Sequence, residues 1–285
     1  MKRIALLFVV VFFLGAGLCD ASITYESEKA RLDSLVEEGK YEEVFRITER
    51  FAKEGDPQAV YGLAVLYQRG IGVPVDYSRA MELYLRSSKQ GYASAYYGIG
   101  MMYAHGQGVQ PDYAKALYNY KKTISAGDMQ GYVGLGYLYL NGFGVEKSMS
   151  KSFEMNMKAA RAGISSGQYA VGYMLRHGTH AEKEPCEAKQ WFEKAVSDGY
   201  PMAMFELGKM YLAGECCERD GTKAASLFLR SAKMGYDSSI FMTGVMYEYG
   251  VGVEKDIDEA LVWFRIASSL GIAKADEKIE KLMEE

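Results

Sequence analysis

The apolar and small positions of this chain recur with a period of 36 residues as well as with the pitch of a helix. Glycine opens each stretch, at Gly55, Gly91, Gly127, Gly163, Gly199, Gly235 and Gly271. Counting from that glycine, the ninth place is apolar in Leu63, Ile99, Leu135, Val171 and Leu207, with Thr243 departing. The tenth place is small: Ala64, Gly100, Gly136, Gly172, Gly208 and Gly244. Leu-Tyr or Met-Tyr follows in Leu66-Tyr67, Met102-Tyr103, Leu138-Tyr139, Met210-Tyr211 and Met246-Tyr247, Met174-Leu175 being the exception. Steps of three and four place these residues, with Ala59, Ala95 and Ala203, on one face of a first helix, A. A second glycine rail, Gly70, Gly106, Gly142, Gly178, Gly214 and Gly250, ends it, because glycine takes the left-handed turn at a helix C-terminus without strain.

A second helix, B, starts at the twenty-second place. Asp76, Asp112, Asp220 and Asp256 are good N-caps there, Ser148 replaces one, and Glu184 precedes a Pro185 suited to the first helical position. The apolar stripe of helix B runs through Ala80, Ala116, Ala188, Ala224 and Ala260 to an aromatic, Tyr84, Tyr120, Phe192, Phe228 or Phe264. All five prolines fall in loops or first helical turns, where no helix bond is lost. A fixed period of this size marks stacked units, since each helix pair leaves an apolar face that only a neighbour can cover. The expectation is an all-α solenoid of six 36-residue helix-turn-helix repeats at 55–90, 91–126, 127–162, 163–198, 199–234 and 235–270.

The order Ala, Leu-Gly, Tyr, Gly-x-Gly-Val, Asp-Tyr, Ala, aromatic, Ala-x-x-Gly-Tyr resembles the Sel-1-like repeat (SLR) family, a relative of tetratricopeptide arrays. Repeat two carries it most fully, in Gly98-Ile99-Gly100, Tyr103, Gly106-Gln107-Gly108-Val109, Asp112-Tyr113, Ala116 and Tyr120. The resemblance implies a right-handed α/α superhelix, and a function as an adaptor or assembly scaffold for other proteins.

Outside the repeats, Lys2 and Arg3 precede the apolar run Ile4 to Leu14, with small residues after it, the layout of a secretory signal cleaved after Ala21 (residues 1–21). A lipoprotein signal is the rival reading, leaving the chain anchored through acylated Cys19, with Leu18 standing where a small residue belongs. Residues 22–54 read as N-terminal capping helices, Tyr25 to Glu38 and Tyr41 to Lys53, with Val44 in the place of the helix B alanines. Residues 271–285 read as a C-terminal capping helix that keeps Ala275, Ile279 and Leu282 for the inner face. The net charge of −4 becomes about −5 once Lys2, Arg3 and Asp20 leave. Without a basic run, nucleic acid is not an expected partner. Export to a periplasm or to the outside is expected.

Repeats four and five break the Gly-x-Gly-Val pattern, as Gly178-Thr179-His180-Ala181 and Gly214-Glu215-Cys216-Cys217, and repeat four adds Cys186 early in its helix B. Equivalent loops of stacked units lie side by side, which brings Cys186 near the cysteine pair. In an exported chain the expected outcome is a disulfide from Cys186 to Cys217 or Cys216, with one thiol left over. A zinc site built from His177, His180, Cys186 and Cys216 or Cys217 is the sharper alternative, but its spacing matches no closed zinc motif. We therefore expect no metal and no cofactor.

An enzymatic role has some sequence support. A cysteine-rich branch of the SLR family is described as binding or hydrolysing β-lactams, and Ser148-Met149-Ser150-Lys151 satisfies Ser-x-x-Lys. Ser148 already has a capping task, Ser197-Asp198-Gly199 only mimics Ser-Asp-Asn, and there is no Lys-Thr-Gly. The expectation is no catalytic residue; a β-lactam-binding envelope enzyme is the alternative. Binding fits better. One row on helix A holds Tyr61, Tyr97, Tyr169, Phe205 and Phe241, a pattern that suits packing, although Tyr97, Tyr169 and Phe205 are also expected on the binding face. The next row holds Val65, Met101, Tyr137, Tyr173, Lys209 and Val245, with Met101, Tyr137 and Tyr173 as anchors for a protein or peptide partner, or a cell-envelope glycan, on the concave side.

Overall fold

The computed structural model describes residues 24–179 and 182–284, so both proposed processing sites, at Cys19 and after Ala21, lie outside the described residues, as does His180. Fifteen α-helices and no strand occur among the described residues. A single 3₁₀ turn, Glu26–Glu28, leads into the capping pair α1 (Lys29–Glu37) and α2 (Tyr41–Glu54). The A and B helices then alternate as α3 (Pro57–Arg69), α4 (Tyr77–Lys89), α5 (Ala93–His105), α6 (Tyr113–Ser125), α7 (Gly131–Asn141) and α8 (Met149–Arg161). They continue as α9 (Ser165–His177), α10 (Pro185–Ser197), α11 (Pro201–Ala213), α12 (Gly221–Lys233), α13 (Asp237–Tyr249) and α14 (Ile257–Ser269), before the closing helix α15 (Ala273–Glu284).

The ends of these helices follow from the two glycine rails and the acid before helix B. Gly70, Gly106, Gly142, Gly214 and Gly250 all cap an A helix in the left-handed conformation. The side chains of Asp76, Asp112, Ser148, Asp220 and Asp256 each accept the backbone N–H three residues on, while Glu184 leaves the start of α10 to Pro185. Helix α7 begins two residues later in its repeat than the other A helices, and before it Asp128 accepts the Gln130 N–H.

The chain divides into two compact units, which we describe separately: residues 24–167 and residues 168–284. In the first, each helix packs on its partner within the repeat and on the next repeat, in the series α2 on α3, α3 on α4, α4 on α5, α5 on α6, α6 on α7 and α7 on α8. The second repeats this from α10 through α15. The core of five of the six repeats is the helix B aromatic, and Tyr84, Tyr120, Phe192, Phe228 and Phe264 are all fully buried; repeat three has Asn156 there. At the N-terminal cap, Thr48 stands at the aromatic position, and Tyr25 supplies the missing ring: its hydroxyl lies 3.4 Å from Thr48 Oγ1. Burial pushes the Tyr25 phenol up to about 12. Val44 and Ala275 are buried, with Ile279 and Leu282 packed against the last cluster.

Candidate interaction groove

The surroundings of the two rows on helix A separate packing from free surface. Each seventh-place aromatic rests on the buried aromatic of its own helix B: Tyr61 on Tyr84 at 5.6 Å between ring centroids, Tyr97 on Tyr120 at 5.5 Å, Tyr169 on Phe192 at 6.0 Å, Phe205 on Phe228 at 5.6 Å and Phe241 on Phe264 at 5.5 Å. A second ring, the tyrosine that opens the next helix A, covers three of them: Tyr92 over Tyr61, Tyr200 over Tyr169 and Tyr236 over Phe205. Where that tyrosine should cover Tyr97, the sequence instead has Asp128.

A cavity of about 630 Å³ opens in the first unit at this point, on the helix A side. Its lining comes from successive repeats: Tyr61, Val65, Gln68 and Arg69 of α3, Tyr97 and Met101 of α5, Asp128 and Gln130 before α7, and Ile164 before α9. Desolvation pushes the Tyr61 phenol up to about 12 and the Tyr97 phenol above the usual range, though both rings are half-buried and keep an edge on the groove. Both stay neutral donors and acceptors at any physiological pH. A hydrogen-bond chain crosses one wall, with Tyr84 OH donating to Gln68 Oε1 (2.6 Å) and Gln68 Nε2 donating to Gln107 Oε1 (2.6 Å). At the other wall Ser94 Oγ donates to Asp128 Oδ2 (2.7 Å).

Of the residues expected at a site, Tyr97 and Met101 therefore meet in one groove. Tyr137 is half-buried elsewhere in the same unit, against His105 (5.2 Å) and Phe143 (5.8 Å). Tyr169, Tyr173, Phe205 and Lys209 belong to the second unit. Tyr173 is 40% exposed and its ring lies tilted against that of His177 (4.3 Å), while Lys209 pairs with Glu206 (3.1 Å) above the Phe205 ring. Beside them, nearly buried Arg176 bridges Glu206 and Glu215. The helix A pattern did not single out Gln68, Arg69, Gln107, Asp128 and Gln130. The one available signal was the change from tyrosine to Asp128 at the second place.

The cysteine expectation resolves to a Cys186–Cys216 disulfide, with Cα atoms 5.1 Å apart, not to Cys217. Cys216 takes the place that glycine holds in other repeats, with φ 55°, and this turn presents its side chain to the first turn of α10. Cys217 keeps its thiol, directed at the backbone carbonyls of Glu215 (3.4 Å) and Met210 (3.8 Å). With Cys186 and Cys216 bonded to each other, the zinc set loses two of its thiolates. Ser148 Oγ accepts the Lys151 N–H (3.2 Å) as a helix cap, and the Lys151 ammonium stands over the Tyr139 ring (5.5 Å). The Ser-x-x-Lys spacing thus serves the start of α8 and does not form a nucleophile with its base.

Comparison with known proteins agrees with this architecture. The Sel1 repeat family model matches residues 57–92, 93–128, 130–164, 165–200, 201–236 and 237–272. The chain belongs to the Sel1 repeat family, an α/α solenoid family whose members generally mediate protein–protein interaction and are typically non-catalytic. Among solved structures it is similar to a protective antigen of uropathogenic Escherichia coli with an SLR fold, at 30% identity and a TM-score of 0.60 over 84% of this chain and 51% of that one. This chain therefore spans about half the length of that antigen. It is also similar to a Sel1 repeat protein from Oxalobacter formigenes, at 26% identity and a TM-score of 0.65 over 88% of this chain and 74% of that one. An immunity protein from Pseudomonas aeruginosa shares the fold at 20% identity, with a TM-score of 0.53 over 72% of this chain and 84% of that one. No curated protein matches the chain.

Proposed function

We propose that this chain is a non-catalytic interaction scaffold of the exported space, which binds a protein or peptide partner on its helix A side, centred in residues 24–167. The observation that carries this reading is the groove at Tyr61, Tyr97 and Met101, an aromatic cleft of about 630 Å³ bordered by polar groups and built on rigid helices. The Cys186–Cys216 bond supports an oxidising compartment. No helix among the described residues is long and apolar enough to cross a membrane. Nothing in the geometry of Ser148 favours the β-lactam reading.

Two measurements test it. Affinity capture from an envelope extract with the tagged chain, beside a Met101→Lys variant of unchanged circular dichroism melt, should recover a partner with the parent and lose it with the variant. Equal capture by both would remove the groove from the reading. For export, N-terminal sequencing of the chain from a periplasmic or secreted fraction should begin at Ser22, or give a blocked, acylated Cys19. Recovery only in the cytoplasm with Met1 in place would exclude it.

A further inference from the structure

The groove keeps donors that no group among the described residues uses. In the Tyr84–Gln68–Gln107 chain each glutamine carbonyl accepts one hydrogen bond, and N–H groups of Gln68 and Gln107 remain open. Asp128, the one carboxylate in the lining, accepts from Ser94 at Oδ2 and from the Gln130 N–H at Oδ1. Arg69, the one cation in the lining, is exposed and makes no ion pair or hydrogen bond among the described residues. A free guanidinium at the rim of an aromatic groove selects a carboxylate, because its planar fork matches the two oxygens. The lining also draws on consecutive repeats, each step adding about 10 Å. A cleft of that length suits an extended chain better than a compact molecule.

We propose that this groove holds an extended peptide segment by one acidic side chain, with Arg69 as its ion partner. The amides of Gln68 and Gln107 donate to the same carboxylate or to the adjoining backbone. An apolar side chain next to it in the segment packs on Tyr97 and Met101. This rests on the scaffold reading above and adds the chemistry of the partner.

The test is to pan a random peptide display library on the full chain and, in parallel, on Arg69→Gln and Arg69→Lys variants. Arg69 is exposed at the end of α3, so both variants should keep the parent's melt. The parent should enrich peptides with Asp or Glu fixed at one position beside an apolar residue. A synthetic peptide from that pool should bind Arg69→Gln about tenfold more weakly, retain part of its affinity for Arg69→Lys, and weaken with added salt. Enriched peptides without a fixed acidic position, or with one that survives Arg69→Gln, would overturn this inference and leave the scaffold reading standing. If no peptide is enriched at all, both fail.

Discussion

Whether tyrosine or phenylalanine fills the core of a repeat is tied to the eighth place of the next one. Tyr84 and Tyr120 are followed there by Gly98 and Gly134; Phe192, Phe228 and Phe264 by Glu206, Met242 and Lys278. A Cβ at Gly98 would lie 2.5 Å from the Tyr84 ring, and one at Gly134 would lie 2.4 Å from the Tyr120 ring, so both tyrosines need that space. Their hydroxyls then fare differently. Tyr84 donates to Gln68, whereas the Tyr120 hydroxyl is buried with no partner among the described residues, because Ala104 stands where the glutamine would be. An unmet buried hydroxyl costs about 1–3 kcal/mol, and a made one contributes about 1 kcal/mol. Tyr120→Phe should therefore raise stability by about 1 kcal/mol in urea unfolding, and Tyr84→Phe should lower it by a similar amount. A loss at Tyr120 would show that its hydroxyl has a use the packing does not reveal.

In repeats one, two, three, five and six the loop after the A helix docks on the first turn of the preceding B helix, and it does so in two ways. With glycine the backbones approach closely: a Cβ at Gly108 would fall 2.5 Å from Tyr77 Cβ, and one at Gly252 would fall 2.0 Å from the Gly221 carbonyl. In repeat five Cys216 keeps the left-handed backbone and reaches the first turn of α10 through sulfur. Closing a loop across a sequence separation of 30 is worth about 3 kcal/mol, less about 1 kcal/mol for a side chain in that conformation. Melts should thus rank the parent first, Cys186→Ser/Cys216→Gly second and Cys186→Ser/Cys216→Ser last, the two variants differing by about 1 kcal/mol. Equal variants would mean that the turn does not care for glycine. The start of helix B responds to acid. Backbone hydrogen bonds from Lys115 and Lys223 hold the Asp112 and Asp220 carboxyls below the ordinary value of 3.8. A lowered folded value means stability that is present above the unfolded one and lost as pH falls through the folded one. Asp112→Asn/Asp220→Asn should flatten the stability profile below about pH 4; an unchanged acid limb would assign that loss to other carboxylates.

At the scale of the whole molecule, the 36-residue period made the helix pairs, their caps and their buried aromatics legible, because glycine turns and N-caps are set by local chemistry. The groove was less so. It depends on Asp128 displacing a tyrosine next to Tyr97, and on side chains such as Gln68 and Gln107 that lie 39 positions apart and meet only through stacking. The choice of Cys216 over its neighbour likewise turned on the backbone twist at one residue. The same periodicity exposes the weakest link. Repeat three carries Asn156 where the other repeats carry an aromatic, and its amide, 5% exposed, donates to the Ser152 carbonyl (2.9 Å) inside the core. In a stacked array each repeat contributes its own stability and its interfaces, so the repeat without a ring should open first. Its own helix A already has Gly136 at the tenth place, the residue that makes room for Phe192, Phe228 and Phe264 in their repeats as Gly172, Gly208 and Gly244. Asn156→Phe should therefore fit without strain and add about 2 kcal/mol through ring burial. Native-state hydrogen exchange reads this directly: amides of α7 and α8 should exchange faster than those of α5 and α6 in the parent, and slow by about 30-fold in the variant. Faster exchange in Asn156→Phe would mean that the amide, with Ser152, is needed at that position and that repeat three is not the soft point of the array.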